Sequence, residues 1–142
     1  MARSWAEATE VFGFHLRIGA PKDYWPPTKA LSAKGSVQLT EDPVEAVVGA
    51  DVVATDAWTS MGQEREAQQR NLELNPFRVD DELLRHAKKN CIVLHCLPAH
   101  RGEEITDSVL DGPRSAVFDE AENRLHVQKA LLEQLILGRL QI

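Results

Sequence analysis

No apolar run in this sequence approaches the ~20 residues that a bilayer-spanning helix requires. Clustered basic charge is missing too: the formal net charge is −6, and the 16 lysines and arginines are scattered. Nucleic acid is therefore not an expected partner, because a phosphate backbone calls for a concentrated Lys/Arg footprint. The start, Met1-Ala2-Arg3-Ser4-Trp5, lacks the apolar stretch and small-residue cleavage site of a secretory leader. A cytoplasmic protein with no membrane partner is expected. Cysteine is scarce. Cys91 and Cys96 stand five apart on one predicted strand and its exit, which puts them on opposite faces of a regular strand. Reduced thiols are expected rather than a disulfide. No G-x-G-x-x-G or phosphate loop occurs, which argues against a complete nucleotide site. There is also no internal repeat, low-complexity tract or internal linker.

What remains is 142 residues, 43% apolar and 27% charged, enough for a single α/β domain with a real core. Ser4-Trp5-Ala6-Glu7 reads as a capping box, opening a helix to about Phe12 with Gly13 as its left-handed stop. Phe14–Ile18 reads as a strand, Lys22–Thr28 as a loop, Lys29–Lys34 as a helical turn and Ser36–Thr40 as a strand. Asp42-Pro43 places a capping aspartate before a proline at the first helical position, and that helix should close at Gly49. Asp51–Thr55 is a nearly continuous apolar strand of the parallel-sheet kind. A loop, 56–62, leads to a polar helix over Gln63–Leu72. Asp80 or Asp81 should cap a helix to about Lys88. Cys91–His95 is the next buried strand, and Ser115–Phe118 a further short one. From Glu120 the chain carries Leu125, Leu132, Leu135 and Ile136 near helical spacing, predicting an amphipathic helix packed on the core.

Strands alternating with helices predict a doubly wound, Rossmann-like, mostly parallel α/β sheet. Such domains usually open with a strand, yet here a helix comes first, so the sheet is expected to lack its first strand. Ligands of open parallel sheets bind beyond the carboxyl ends of the strands. Asp56 follows one such end and Cys96 another. A carboxylate at one edge favours a cationic group, while a hydroxyl and free loop amides near Gly62 can bind a carboxylate. That pairing suits an amino acid. Each residue also has a plainer reading. An aspartate after a strand often just forms the turn, a cysteine there is often a small buried hydrophobe, and His95 can be a hydrogen-bonded core residue. Cys91, Cys96, His86, His95 and His100 match no zinc spacing with two short pairs, so no metal ligand is expected.

Three segments in register carry more weight: Asp56-x-x-x-Ser60-Met61-Gly62, then His95-Cys96-Leu97-Pro98, then Glu120-Ala121-Glu122-Asn123-Arg124 ahead of a final helix. Together with Pro98–Glu104 and Pro113–Phe118, they resemble the ornithine carbamoyltransferases across nearly the whole chain, along the C-terminal, L-ornithine-binding domain. The resemblance implies attack of the neutral δ-amine of L-ornithine on carbamoyl phosphate, giving L-citrulline and phosphate, a step of arginine biosynthesis. It implies Asp56 and Ser60 at the α-amino group, the Met61 amide at the α-carboxylate, and Cys96 beside the δ-amine as proton acceptor or positioner. It puts the Leu97 backbone at the carbamoyl group and Arg124 at carbamoyl phosphate, calls for no cofactor, and implies a homotrimer. The Ser-Met-Gly run departs from the aspartate carbamoyltransferases. Putrescine has no α-carboxylate, so the full motif favours ornithine over a putrescine carbamoyltransferase. The family's Ser-x-Arg-Thr and His-Pro-x-Gln motifs, and an Asn-bearing turn before the first helix, do not occur here. The expectation is a truncated chain, inactive by itself, with a strand missing between Phe14–Ile18 and Asp51–Thr55. Two alternatives stand beside it: a non-catalytic amino-acid-binding or regulatory module, and a small enzyme completed by a separate N-terminal partner.

Overall fold

A computed structural model of the chain describes residues 1–27, 36–59 and 66–139. Helix α1, Ala2–Phe12, turns Ala6 and Thr9 inward. Trp5 packs edge-on against Phe14, with ring centroids 5.9 Å apart. The helix begins two residues before the expected capping box. Ser4 makes no cap, and Glu7 pairs with Arg3 at 2.9 Å instead, an i,i+4 pair that keeps the first turn helical. Gly13 does stop it, at φ 69, its N–H bonding to Thr9 O. Strands β1, Leu16–Gly19, and β2, Val37–Thr40, flank residues 28–35, so the expected turn at Lys29–Lys34 lies outside the described residues. The expected loop at 22–28 contains a 3-10 turn, Lys22–Tyr24.

Helix α2, Pro43–Val47, opens as its sequence predicts: Asp42 accepts from the amides of Val44 and Glu45. Strand β3, Val52–Thr55, then leads to the first loop at the sheet's carboxyl end. Helix α3, Ala67–Leu74, covers most of the expected polar helix, whose first residues, 63–65, are not described. The helix expected after Asp80 contracts to a 3-10 turn, Leu83–Arg85. Asp80 does cap it, accepting from Leu83 N at 2.9 Å. Continuation fails because His86 O is taken by Gly49 N and Lys88 N donates to Ala50 O. Strand β4 spans Ile92–His95, and a short helix α4, Asp107–Leu110, was not foreseen. The strand expected at 115–118 reduces to one bridge, Ser115 to Val93. Val117 already starts helix α5, Val117–Ile136, once Ala116 N has bonded Val93 O.

All ladders are parallel, and they form two pairs, β1 with β2 and β3 with β4. Among the described residues no ladder joins the pairs. The core cluster, including Val53, Val93, Ile105 and Val117, draws on residues from Val47 onward and so lies beneath β3 and β4. Helix α5 departs from expectation. Only Val117 is buried, whereas Leu125 is 64% and Ile136 80% exposed. Its apolar stripe has no second layer to meet among the described residues. No described helix is long and apolar enough to cross a membrane. Gly19, at the end of β1, lets α2 approach: a Cβ there would lie 2.8 Å from the Ala46 Cβ. Gly19→Ala should therefore lower stability by about 1–3 kcal/mol, read as a lower urea midpoint at an unchanged m-value. An unaltered midpoint would show that this contact is loose.

Candidate functional site

The register of β3 and β4 builds the site. Thr55 pairs with His95 in the parallel ladder, so the next residues, Asp56 and Cys96, leave adjacent strand ends side by side. Cys96 Sγ donates to Asp56 Oδ1 at 3.0 Å, and Ala57 N donates to the same oxygen at 2.8 Å. Asp56 is exposed and Cys96 half-buried. The carboxylate and thiol foreseen at two sheet edges thus meet.

The turn beyond β4 is held from behind. Leu97 lies at φ 51, with a cis peptide to Pro98, and a branched residue stays in the left-handed region only where its surroundings hold it. Leu97 N donates to His95 Nδ1 at 2.9 Å. That leaves Nε2 as the protonated nitrogen, and it meets Glu104 Oε1 at 3.0 Å. His100 N donates to the same oxygen at 2.6 Å. His95 is 1% and Glu104 0% exposed. Burial pushes the Glu104 carboxyl up, but hydrogen bonds from His95 and from the His100 and Glu104 amides outweigh it and hold the group below the usual range. His95 is thus the hydrogen-bonded core residue of its plainer reading.

Helix α5 closes the far side. Phe118, Ala121 and Arg124 line, with Cys96, Leu97 and Pro98, an open cavity of about 590 Å³. Burial first, then the hydrogen bond to Asp56 and the charges of Asp56 and Glu120, raise the Cys96 thiol to about 11. It is therefore a neutral thiol near pH 7. One side of the site is anionic and suits a cation; Arg124 on the other suits an anion. Asp56, Cys96, Leu97 and Arg124 come together, while Ser60 and Met61 lie outside the described residues. Sequence reasoning gave no role to Glu104 or to Glu120, whose Oε2 is buried without a partner. The spacing of Glu120 and Arg124, one helical turn apart, was the available signal for the latter.

Residues 1–135 match the family described as aspartate/ornithine carbamoyltransferase, Asp/Orn binding domain. The ornithine carbamoyltransferase of Geobacter metallireducens is 54% identical over 144 residues, covering 96% of this chain and 46% of that protein. The Burkholderia mallei enzyme of the same name is 51% identical, covering 99% and 46%. Among solved structures, ornithine carbamoyltransferase from Pyrococcus furiosus superposes with a TM-score of 0.88 at 45% identity, over 99% of this chain and 47% of that one. The Burkholderia thailandensis structure gives 0.84 at 44%, over 99% and 45%. The chain thus spans about half the length of the relatives it matches.

Two tests follow from the geometry. Alkylation of Cys96, followed peptide by peptide against pH, should accelerate toward a midpoint of about 11. Asp56→Asn removes two of the influences that raise it, so its midpoint should fall; an unmoved midpoint would separate the two side chains. Glu104→Ala leaves the buried His95 ring and the part-buried His100 amide without their acceptor and should cost about 2–5 kcal/mol. Chemical denaturation measures it, and a loss under about 0.5 kcal/mol, the scale of an ordinary surface change, would mean the turn does not rest on this pair.

Proposed function

The chain belongs to the aspartate/ornithine carbamoyltransferase family, and on that footing we propose that its site binds L-ornithine for carbamoylation to L-citrulline. The contact between Cys96 Sγ and Asp56 Oδ1 at 3.0 Å carries this reading. It sets a carboxylate and a neutral thiol together at the carboxyl ends of two parallel strands. In the proposed complex Asp56, with Ser60, receives the α-ammonium group, and the Met61 amide the α-carboxylate. The δ-amine lies at Cys96 and the carbamoyl group at the Leu97 backbone. Arg124, exposed on the cavity wall, faces carbamoyl phosphate. Its planar guanidinium matches a phosphate or a polarised carbonyl oxygen.

The reaction needs the δ-amine neutral. With its thiol raised to about 11, Cys96 holds its own proton near pH 7 and serves as positioner rather than resting-state base. Its sulfur fixes the amine's direction while Asp56 and Glu120 supply the negative potential that draws the diamine in. Carbamoyl phosphate would be held in part by groups beyond these. No Ser-x-Arg-Thr or His-Pro-x-Gln run occurs in the 142 residues. We therefore propose that the chain by itself binds ornithine and forms no citrulline.

Calorimetric titration with L-ornithine should give saturable binding, weakened about tenfold or more by Asp56→Ala, as for loss of a charged hydrogen bond. Binding that Asp56→Ala leaves intact would sink the assignment. Citrulline formation is the second readout: absent with the chain alone, and appearing when a carbamoyl-phosphate-binding domain of the family is supplied in trans. Citrulline from the chain alone would refute the proposed inactivity.

A further inference from the structure

Behind the turn that carries Cys96, residues 100–105 fold back on themselves. Glu103 N donates to His100 O at 3.0 Å and Gly102 N to Ile105 O at 2.9 Å, with Gly102 at φ 83. This brings one ligand-capable atom each from His100, Glu103 and Glu104 within 4.8 Å of one another. Carboxylates gathered near a surface carry no meaning alone. Here one of them is fully buried. Glu104 Oε1 is taken by His95 Nε2 and His100 N, while Oε2, also buried, has no hydrogen-bond partner. Its neighbour in the cluster, His100 Nδ1, stands 3.7 Å away, beyond hydrogen-bond reach. A buried carboxylate oxygen without a hydrogen-bond donor calls for a partner, and a bound ion is one that this cluster can hold.

We propose that His100, Glu103 and Glu104 Oε2 hold a divalent metal ion of the zinc class, with solvent as fourth ligand. A tetrahedral ion with bonds of about 2.1 Å sets its ligand atoms about 3.4 Å apart, close to the 3.7 Å between His100 Nδ1 and Glu104 Oε2. Two carboxylates and a neutral imidazole balance the double charge. Three protein donors including an imidazole suit zinc, cobalt or nickel better than magnesium or calcium, which demand six or more oxygens. The bound ion would leave Glu104 Oε1 on His95, so one carboxylate would tie the metal to the turn bearing Cys96. The sequence concealed the site because the three residues are spaced as a turn and match no known ligand pattern.

The competing ligand is Cys96 itself, half-buried beside Asp56, and the experiment separates the two. Tag-free chain, stripped with chelator, is titrated with Zn²⁺ by calorimetry and with Co²⁺ by absorption, in wild type and Cys96→Ser. The expected result is one ion per chain in Cys96→Ser. Its cobalt spectrum should lack the near-ultraviolet thiolate charge-transfer band. Affinity should fall about tenfold or more in both His100→Gln and Glu103→Gln. Neither side chain is in the core, and circular dichroism verifies that each variant is folded. Binding abolished by Cys96→Ser, or untouched by the two glutamine substitutions, would overturn the proposal. So would no binding by the folded wild-type chain.

Discussion

Strand β4 delivers a polar side chain into the best-packed part of the molecule, and both nitrogens of that side chain are used. His95 Nδ1 accepts from the backbone of Leu97, and Nε2 donates to a carboxylate drawn from nine residues further on. A buried donor or acceptor left without its partner costs about 1–3 kcal/mol, so the two bonds cannot be surrendered cheaply. They fix the turn in which Leu97 adopts a positive φ and Cys96 faces the strand end of β3. Had His95 been apolar, β4 could have ended in many ways. With both ring nitrogens engaged, the turn after β4 and the fold-back that brings Glu104 are tied to one side chain.

Electrostatics at the site follow from that placement. Cys96 meets Asp56 and feels Glu120, and both raise its thiol, so negative charge is kept on the oxygens rather than on sulfur. A site arranged this way favours a cationic group and presents a neutral thiol rather than a thiolate. In the reaction we propose, sulfur that stays protonated near pH 7 would direct the amine, whereas ionised sulfur would compete with it for the carbamoyl carbon. Arg124 enters from a separate element, α5. The anionic and cationic halves of the site are thereby carried by different pieces of structure.

Local signals were readable wherever one residue's chemistry decides the backbone. Asp42 before Pro43 caps α2, and Gly13 ends α1 at positive φ. The runs at 52–55 and 92–95 are strands because they are short, apolar and β-branched. Asp56 and Cys96 were legible because both follow such runs, and the parallel register makes following residues neighbours. What failed did so where tertiary bonds outbid local preference. The helix after Asp80 shrinks because Gly49 and Ala50, just ahead of β3, take its later backbone groups. The strand at 115–118 gives way once Val93 has satisfied its one available pair of backbone groups. Glu104 was invisible as the partner of His95, since nothing in a nine-residue separation announces a fold-back that depends on Gly102 and on the buried Ile105.

Burial is distributed unevenly, and the site sits where it is greatest. The hydrophobic cluster begins at Val47 and lies under β3, β4 and the segments that follow. On the β1–β2 side, among the described residues, few are buried, Ala6, Thr9 and Thr40 among them. Each fully buried aliphatic side chain contributes about 1.5–3 kcal/mol, so the half bearing Asp56 and Cys96 has the firmer foundation. Among the described residues, Val117 is the one buried side chain of helix α5, and the leucines beyond it are exposed. Arg124 stands seven residues beyond Val117, on the first turns of the helix, where the backbone still inherits its direction from the core. The cationic half of the site is therefore aimed by the same packed half that positions the thiol.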